Sequence, residues 1–485
     1  MSKLTRRTLL KSAAAASAAF PLFTIAGTKA SGKVIGANDT IRLGVAGING
    51  RGTSHIDGFA SQKNVDVTYL IDPDTTLFGS RGDRVKSKGG TTPECVQDIR
   101  EALDDKNLDA VSVATCNHWH SLITVWACQA GKDVYVEKPM SHNLFEGRKC
   151  VEAAAKYGRV VQHGTQQRSD ENRARQIDAI QSGKYGKLLV SKGYCCKPRW
   201  SIGHKPIEKA PSTLDFDLWL GPAPKQDFHR NLVHYNWHWF WDTGNGDTGN
   251  QGVHEMDVAR WGIKGATLPN KVWSVGGRFV PGEADQGETP NMQLSVYEYD
   301  DVLLVFETRG LVENKSKYPK APPRNVSNEF YTTEGKIVGW KFYPKDGGTP
   351  ESISGGEATV TPGGPFGAFT AAMRSRKPED INCDAEVAHY SSALCHLGNV
   401  SYRLGESASF SEQSKSLGDN KQVVESFETL KSNIGAVDIK LSETTYTVGR
   451  TLTLNPKTEK FIGDEDANQL LTRPYRKPFV VPEQV

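Results

Sequence analysis

Short apolar runs alternate with helical patterns along the chain after Thr40. The runs predict β-strands at Ile41–Ile48, Val65–Ile71, Asp109–Thr115, Asp133–Val136 and Arg159–Gln162. Their hydrophobicity is continuous rather than alternating, which is typical of strands buried on both faces of a parallel sheet. Helical periodicity at His118–Ala130 and Asn143–Tyr157 ends in each case at a glycine. The pattern predicts a doubly wound α/β domain.

The second half has the alternating pattern of antiparallel strands. A new strand begins within 188–197, and further strands are predicted at Trp273–Val280, Met292–Tyr299 and Val302–Thr308. Asp300-Asp301 is the expected hairpin turn between the last two. We expect the uncovered face of this sheet to pair with a second copy of the chain, which would give a homo-oligomer.

The sequence pattern of the C-terminal part predicts one long helix and little other regular structure. The helix covers Ala385–Leu404 and ends at Gly405, a Ser-rich loop follows over 406–422, and Arg473–Val485 is expected to dock as an extended strap. We therefore divide the chain into four regions: an export signal (1–30), a nucleotide-binding domain (31–168), a substrate and oligomerisation domain (169–410), and a C-terminal loop with a docking tail (411–485).

Composition narrows the class of protein. The 485 residues are 37% hydrophobic and 24% charged, ordinary values for a globular protein that exclude disordered, collagen-like and disulfide-scaffold classes. The formal net charge is +3, but the first thirty residues hold five basic and no acidic side chains, so the remainder sums to −2. Because a slightly acidic body has no broad basic field, nucleic acid is not expected as a partner.

The first thirty residues have the organisation of an export signal. Adjacent Arg6 and Arg7 precede the uncharged, alanine-rich stretch Ser12–Gly27 and a small-residue exit near Ala30. This resembles the twin-arginine signal, the alternative being an ordinary signal with a chance Arg-Arg pair. The stretch is short for a membrane span, and no cysteine follows it for a lipid anchor. We expect a periplasmic or secreted protein, exported in folded form and without a stable membrane anchor.

The spacing of the eight cysteines does not indicate a disulfide framework. Cys195 and Cys196 are neighbours, where a disulfide would be strained, and no paired CxxC spacing indicates zinc. Folded export allows buried thiols to stay reduced, so we expect most cysteines to be small apolar core residues and no disulfide to be essential.

A glycine-rich turn links the first strand to a helical stretch that starts at Thr53. The candidate cofactor-binding residues of this turn are Gly47, Asn49, Gly50, Arg51 and Gly52, with Asn49 where the usual fingerprint has its second glycine. Such a turn lets the backbone approach a pyrophosphate at a helix N-terminus. Asp72 ends the second strand 25 residues beyond Gly47, near the position that grips an adenosine ribose diol. Because a carboxylate there repels a 2′-phosphate, we expect NAD rather than NADP.

Further motifs extend the comparison to a known family. They are Asn117-His118-Trp119-His120, Glu137-Lys138-Pro139 and Gly252-Val253-His254-Glu255-Met256-Asp257. Together with the glycine turn and Asp72, they make residues 40–405 resemble the glucose–fructose oxidoreductase / inositol dehydrogenase / MocA family. The resemblance implies a Rossmann domain, then an α/β domain with an open, mostly antiparallel sheet, and nicotinamide bound between them. It also implies that Asn117, His120, Glu137 and Lys138 lie beside the cofactor.

Lys138 and His254 are the predicted catalytic pair. Oxidation of a secondary alcohol needs a base of near-neutral pKa and a donor to the developing oxyanion. Lys138 is expected to orient the hydroxyl, the alternative being a surface lysine in a turn, and His254 is the expected acid/base, the alternative being a structural histidine. The family commonly has Asp four residues before this His, whereas this chain has Asn250. Asn250 is a third catalytic candidate, because its amide can hydrogen-bond to the substrate or the imidazole. The amide carries no charge, so we expect a less basic His254 and more proton handling by Lys138.

Substrate contacts are predicted for four residues, namely Arg168, Trp239, Trp241 and Asp257. Asp257 lies one helical turn after His254, where it either orients the imidazole or is an ordinary first-turn acid. The aromatic segment that follows the new strand, with interleaved polar residues, suits the faces of a pyranose, although a core cluster is the alternative. It contains Trp200, Trp219, Tyr235, Trp237, His238, Trp239, Trp241, Asp242 and Asn245. We expect no metal at His118 and His120, because their side chains would diverge at a helix start.

Three functions remain open at this point. The first is an exported NAD-dependent oxidoreductase that acts on a sugar or glycoside hydroxyl, holds its cofactor tightly, and passes electrons to a second substrate or an acceptor protein. The second uses the same cofactor for glycoside cleavage by transient oxidation and elimination. The third is a sugar-binding protein without catalysis.

Overall fold

The computed structural model describes residue 36 and residues 39–282, 284–314, 316–410 and 417–485, so the predicted export signal lies outside the described residues. The first strands are β1 (Ile41–Ala46), β2 (Val65–Ile71), β3 (Glu94–Val96), β4 (Ala110–Val113), β5 (Asp133–Val136) and β6 (Val161–His163). They form one parallel sheet in the order β3-β2-β1-β4-β5-β6. The predicted doubly wound domain is confirmed, with β3 as an edge strand that the pattern did not predict.

Five helices cover this first sheet. They are α1 (Gly50–Ala60), α2 (Phe78–Ser87), α3 (Ile99–Asp104), α4 (Asn117–Gln129) and α5 (Leu144–Tyr157). Separate apolar clusters pack on the two faces of the sheet. Because the strand order reverses between β1 and β4, a crevice opens at the carboxyl ends of these two strands, where doubly wound proteins bind ligands.

The second half is built on a larger mixed sheet. Its strands are β7 (Leu188–Cys196), β8 (Lys271–Gly277), β9 (Met292–Tyr299), β10 (Val302–Arg309), β11 (Asn325–Thr332), β12 (Gly335–Val338), β13 (Lys341–Pro344), β14 (Glu351–Ser352), β15 (Glu406–Ser409), β16 (Thr445–Val448), β17 (Leu452–Asn455) and β18 (Lys460–Phe461). Within the described residues the order is β14-β13-β12-β11-β7-β10-β9-β8-β16-β15, and β17 pairs with β8 and β18. Only β7 and β10 run parallel in these pairings, so the expected mostly antiparallel sheet is confirmed.

The helices of the second half lie on both faces of this sheet. They are α6 (Glu171–Gln181), α7 (Phe216–Leu220), α8 (Val253–Gly262), α9 (Gly364–Ser375), α10 (Ala385–Arg403), α11 (Lys421–Gly435) and α12 (Glu465–Gln469). Helices α8 and α10 pack on one face. Helix α9 instead packs on the first domain through Phe369 and Met373.

The outer face of the large sheet is not open, which corrects the expected pairing of two copies through it. Val423, Phe427, Leu430 and Ile434 of α11 pack against this face. Their spacing places them on one side of a helix, so this chain buries the apolar face of its own sheet. The segment after residue 410 is therefore more than a loop and a tail, and β15 forms where a loop was predicted.

The C-terminal strap docks as predicted. Phe479 packs edge-on against Trp119, with ring centroids 5.4 Å apart, and Val481 joins the same apolar cluster of the first domain. Arg476 forms a bidentate ion pair with Asp217, which belongs to the segment after β7. The strap thus ties the two halves of the protein together.

Three further findings concern the cysteines, membrane-spanning helices and metal-binding groups of the described residues. All eight cysteines lie within them as free thiols. None of their helices combines the length and apolar character needed to cross a bilayer. They also contain no group of three or more His, Cys, Asp or Glu side chains arranged to hold a metal ion.

Candidate active site

A cavity of about 470 Å³ opens at the carboxyl ends of β1, β2, β4 and β5, between the two domains. Most of the predicted site residues line it: Gly47, Asn49, Gly50, Arg51, Asp72, Asn117, His120, Glu137, Lys138, Asn250 and His254. These residues come from six places in the sequence, and the strand order of the first sheet brings most of them together. The cavity contains both the predicted cofactor residues and the predicted catalytic pair.

The glycine turn forms the phosphate-binding end of this cavity. Gly47 has a φ of +77°, and a Cβ there would lie 2.6 Å from the carbonyl oxygen of Ala114. A Cβ on Gly52 would lie 1.9 Å from the carbonyl oxygen of Gly47, so this position also requires glycine although it does not line the cavity. Asn49 caps α1 without a side-chain hydrogen bond. The first N–H groups of α1 are therefore available to an anion, as the pyrophosphate of NAD requires.

Asp72 is buried at the end of β2, on the rim of the same cavity. Its carboxylate accepts hydrogen bonds from the backbone N–H groups of Ile48 and Asp74, each at 3.0 Å. Both oxygens keep a lone pair, because a carboxylate oxygen accepts more than one hydrogen bond. An ionised carboxylate accepts hydrogen bonds and donates none, so Asp72 suits the two hydroxyls of a ribose diol. Burial raises the pKa of Asp72 to about 6, although the two backbone hydrogen bonds lower it.

We expect the affinity for NAD to weaken as the pH falls through about 6, because protonated Asp72 no longer accepts from the ribose diol as an anion. The effect on stability has the opposite sign. A folded pKa above the unfolded value of about 3.9 stabilises the protein at low pH, and this contribution is lost as the pH rises through about 6. Titration calorimetry of cofactor-stripped protein at several pH values measures the change in NAD affinity. The Asp72→Asn variant should bind more weakly with no pH dependence in this window, and a flat wild-type profile would contradict the assignment.

Glu137 lines the cavity and organises its floor. Its Oε1 accepts from the side chains of Arg51 at 2.8 Å, His55 at 3.1 Å and Gln166 at 3.1 Å. Burial raises the pKa of Glu137, but the His55 hydrogen bond and the Arg51 charge outweigh it and hold the pKa well below its usual range. Glu137 is therefore an anion that fixes Arg51 beside the glycine turn.

Lys138 projects from the end of β5 towards the second domain. Its ammonium donates a hydrogen bond to the backbone carbonyl of Asn250. Burial lowers the pKa of Lys138, while the carboxylates of Glu137 and Asp247 raise it. Lys138 is thus a cavity-lining cation in contact with both domains, which excludes the alternative of a surface lysine in a turn.

His254 lies at the start of α8 and lines the cavity. Its imidazole has no hydrogen bond to another residue in the described part of the chain, so both ring nitrogens are open to a ligand. Burial and the Lys138 charge lower the pKa of His254 to about 3. A less basic His254 was expected from Asn250, but burial is the main cause, and the ring is neutral at physiological pH.

Asn117 and His120 hold the site together from α4. The Asn117 amide donates to Asn245 Oδ1 at 3.1 Å, across the domain boundary. The His120 ring lies 2.6 Å from the Pro139 carbonyl oxygen through Nδ1 and 3.0 Å from that of Thr115 through Nε2. His120 therefore braces the turn that carries Lys138.

The four predicted substrate contacts lie away from the cavity lining. Arg168 and Asp257 are both buried and bind each other, with nitrogen–oxygen distances of 2.8 to 3.1 Å. Ser391 also donates to Asp257 at 2.6 Å. Because a buried charge is costly without a partner, this pair is explained by its own neutralisation. Trp239 packs under the Arg199 guanidinium at 5.0 Å, and Trp241 lies near Tyr402. We therefore assign no substrate contact to Arg168, Trp239, Trp241 or Asp257.

Other members of the aromatic segment do line the cavity, namely Trp219, Tyr235, Trp237 and His238. His238 stacks on Trp237 with ring centroids 3.6 Å apart. Its Nδ1 lies 2.5 Å from the Tyr235 carbonyl oxygen and so carries a proton, which leaves Nε2 as an acceptor. Gln166 and Gln251 also line the cavity and were missed. The aromatic composition indicated this segment, but no local signal showed which rings face inward.

Residues 197–245, here called the cover segment, cross the cofactor end of the cavity. At one rim, the Asp215 N–H donates to the Pro73 carbonyl at 2.9 Å and His234 Nε2 lies 3.0 Å from Asp74 Oδ2. At the opposite rim, the Trp119 indole donates to the Leu218 carbonyl at 3.0 Å. The cover segment is therefore attached to the first domain on both sides of the cavity.

Comparison with known proteins supports the assignment of both domains. An oxidoreductase-family model with an NAD-binding Rossmann fold matches residues 41–165, and the C-terminal alpha/beta domain model of the same family matches residues 180–301. Together they span just over half of the chain. The chain belongs to the Gfo/Idh/MocA oxidoreductase family. Residues 41–165 form an NAD-binding Rossmann domain, and NAD is the cofactor, as expected from Asp72.

Relatives in this family have more than one activity. The chain is 30% identical over 153 residues to a myo-inositol 2-dehydrogenase of Thermotoga maritima, covering 31% of this chain and 43% of that protein. It is 24% identical over 222 residues to a glycosyl hydrolase family 109 protein of Shewanella pealeana, covering 41% of this chain and 48% of that protein. The chain thus spans about half the length of these curated relatives.

Solved structures share the fold. A levoglucosan dehydrogenase in complex with NADH has a TM-score of 0.52 and 17% identity, over 73% of this chain and 96% of that chain. The WlbA dehydrogenase from Bordetella pertussis, in complex with NADH and UDP-GlcNAcA, has a TM-score of 0.52 and 16% identity, over 73% and 94%. At this identity the likeness establishes the two-domain architecture alone.

Proposed function

We propose that this protein is an exported NAD-dependent oxidoreductase that oxidises a secondary hydroxyl, or reduces the corresponding ketone, of a sugar or glycoside. The observation that carries the proposal is a single cavity that joins the NAD-binding turn to Lys138, His254 and a set of aromatic rings. Aromatic faces with interleaved polar groups suit the C–H faces and hydroxyls of a pyranose.

The chemistry follows from the charges in this cavity. Bound NAD supplies a hydride acceptor, so the protein must hold the alcohol and manage its proton. The Lys138 ammonium donates to the substrate oxygen and stabilises the charge that develops there. Because burial lowers the pKa of Lys138, its amine form is accessible for accepting the hydroxyl proton. The neutral His254 imidazole is the second hydrogen-bond partner of the same oxygen, and the acceptor nitrogen of His238 is open to a neighbouring hydroxyl.

Export by the twin-arginine route is part of the proposal and places the protein in the periplasm or outside the cell. Free NAD is scarce there, so the cofactor must be loaded before export, held tightly, and recycled by a second substrate or an acceptor protein. The attachment of the cover segment at both rims of the cavity supports such retention. A micromolar complex is stabilised by about 8 kcal/mol, and retention without replenishment needs several kcal/mol more.

Glycoside cleavage is the second candidate function. The similarity to a glycosyl hydrolase family 109 protein favours it. In this reaction the sugar is oxidised, a proton is removed from the carbon beside the new ketone, the aglycone leaves by elimination, water adds, and the hydride returns. The site has imidazole nitrogens at His238 and His254 for the additional proton transfers, and the overall reaction consumes only water.

The deciding experiment starts from protein purified without added cofactor. We expect denaturation to release nicotinamide dinucleotide, and the His234→Ala variant, which lacks the contact to Asp74, to release its cofactor during gel filtration. The intact protein is then incubated with a panel of glycosides while the absorbance band of reduced nicotinamide is followed. A keto-sugar with cofactor reduction supports the oxidoreductase, whereas free sugar without net reduction supports cleavage. Protein that holds no NAD and takes none up overturns both the oxidoreductase and the cleavage proposals. Glycoside binding without either product supports a sugar-binding protein without catalysis.

A further inference from the structure

Asp247 is a buried carboxylate behind the wall of the cavity, with 1% of its surface exposed. Its Oδ1 lies 2.6 Å from the Arg199 guanidinium, and its Oδ2 accepts from the Cys195 thiol at 3.2 Å. The side-chain amide of Asn250 reaches Oδ1 at 3.5 Å. Three residues therefore hold this carboxylate in one orientation.

The position of Asp247 in the chain connects it to Lys138. It directly precedes a π-helical turn, Thr248–Gly252, that leads into α8. The backbone carbonyl of Asn250 in this turn accepts the hydrogen bond from the Lys138 ammonium. The far end of the turn packs closely against Phe306, since a Cβ on Gly252 would lie 2.6 Å from its ring. Anchoring Asp247 thus sets where the Asn250 carbonyl meets Lys138.

Several titratable or charged groups act on Lys138: Arg51, His120, Glu137, His163, His238, Asp247, His254, Glu255 and Cys395. Among the acids, Glu137 is committed to Arg51 and His55. Burial raises the pKa of Glu255 to about 8, so this carboxyl is mostly neutral at pH 7. Glu137 and Asp247 therefore both favour the ammonium form, and Asp247 is the one that directly precedes the turn in contact with Lys138.

We propose that Asp247 is the positioning residue of this site, supplying from three residues earlier the negative charge that Asn250 lacks. Asp247 holds the Asn250 carbonyl against Lys138, and its negative charge favours the ammonium form of Lys138 against the opposing effect of burial. This inference rests on the proposed role of Lys138 in proton handling. It also explains why an amide at position 250 is compatible with a working site: the charge comes from the carboxylate at 247.

The test measures the protonation of Lys138 without turnover. Protein as purified is acetylated with trace acetic anhydride in competition with a reference amine over a range of pH, and the Lys138 peptide is quantified by mass spectrometry. We expect Asp247→Asn to lower the pKa of Lys138 by about 1 unit, the lower end of the effect of a nearby opposite charge. The double variant Asp247→Asn, Asn250→Asp returns a carboxylate to the turn and should restore most of the shift. The control Cys195→Ser keeps a hydrogen-bond donor and changes no charge, so Lys138 should titrate as in the wild type.

An unchanged Lys138 pKa in Asp247→Asn overturns the proposal. So does an equal shift in Cys195→Ser, which would make packing the cause, or a double variant that restores nothing. Should Asp247→Asn fail to fold, Asp247→Ser decides instead: losing the carboxylate must lower the pKa of Lys138, and no change refutes the assignment. Because no substrate is consumed, a protein inactive on every glycoside still gives this measurement, so the two proposals fail separately.

Discussion

Replacing Lys138 by methionine is expected to reduce the rate of nicotinamide reduction by about 100- to 10,000-fold, the usual contribution of a positioned proton-transfer group. Methionine keeps much of the side-chain volume but removes the only ammonium that lines the described part of the cavity. The rate is measured as the growth of the reduced-nicotinamide absorbance band with a glycoside that the wild-type protein oxidises. The amount of NAD released on denaturation should stay near the wild-type value.

Lys138→Arg is the matched control for this variant. It keeps a positive charge but cannot become neutral near pH 7, so it should bind substrate and recover only a small part of the rate. Turnover at the wild-type rate in Lys138→Met would show that the site is misassigned.

Gly52→Ala is expected to remove NAD from the purified protein, with at least about 100-fold weaker binding, or about 3 kcal/mol. The added Cβ would lie 1.9 Å from the Gly47 carbonyl oxygen, a distance that real contacts do not reach. The turn must therefore move, and its N–H groups no longer converge on the pyrophosphate. Nicotinamide content after denaturation and titration calorimetry with NAD measure the loss.

Gly82→Ala in α2 separates this effect from a general cost of replacing glycine. A Cβ at Gly82 meets no atom within 4 Å. Alanine is the better helix former by about 1 kcal/mol, so this variant should retain its NAD and melt at the same or a higher temperature. Normal NAD content in Gly52→Ala would show that the pyrophosphate does not lie on this turn.

The expectations that depended on local pattern agree with the structure. The continuous apolar runs predicted the parallel sheet, and the glycines and Asp72 predicted the NAD-binding turn. Each of these features is recognised from short stretches of sequence, because backbone sterics and strand burial act locally. The family motifs then indicated Lys138 and His254, which the structure brings to one cavity.

The predictions that depended on contacts between residues far apart in the sequence agreed less well with the structure. Arg168 and Asp257 have the chemistry of ligand-binding residues, yet their 89-residue separation closes into a buried ion pair. Trp239 supports Arg199, whereas Trp219 and Trp237 from the same aromatic segment face the cavity. Composition cannot separate these tryptophans, because the direction of a ring depends on which elements pack around it.

The amino-acid sequence by itself determined the doubly wound domain and the NAD-binding turn, since periodicity and turn chemistry operate between near neighbours, and its family motifs indicated the catalytic candidates. Tertiary structure alone decided that α11 packs on the sheet face, that the cover segment spans the cofactor end, and that Asp247 lies behind the turn whose Asn250 carbonyl contacts Lys138. These outcomes arise from long-range packing, in which buried charges must find partners and apolar faces must be covered, wherever along the chain the matching residues lie.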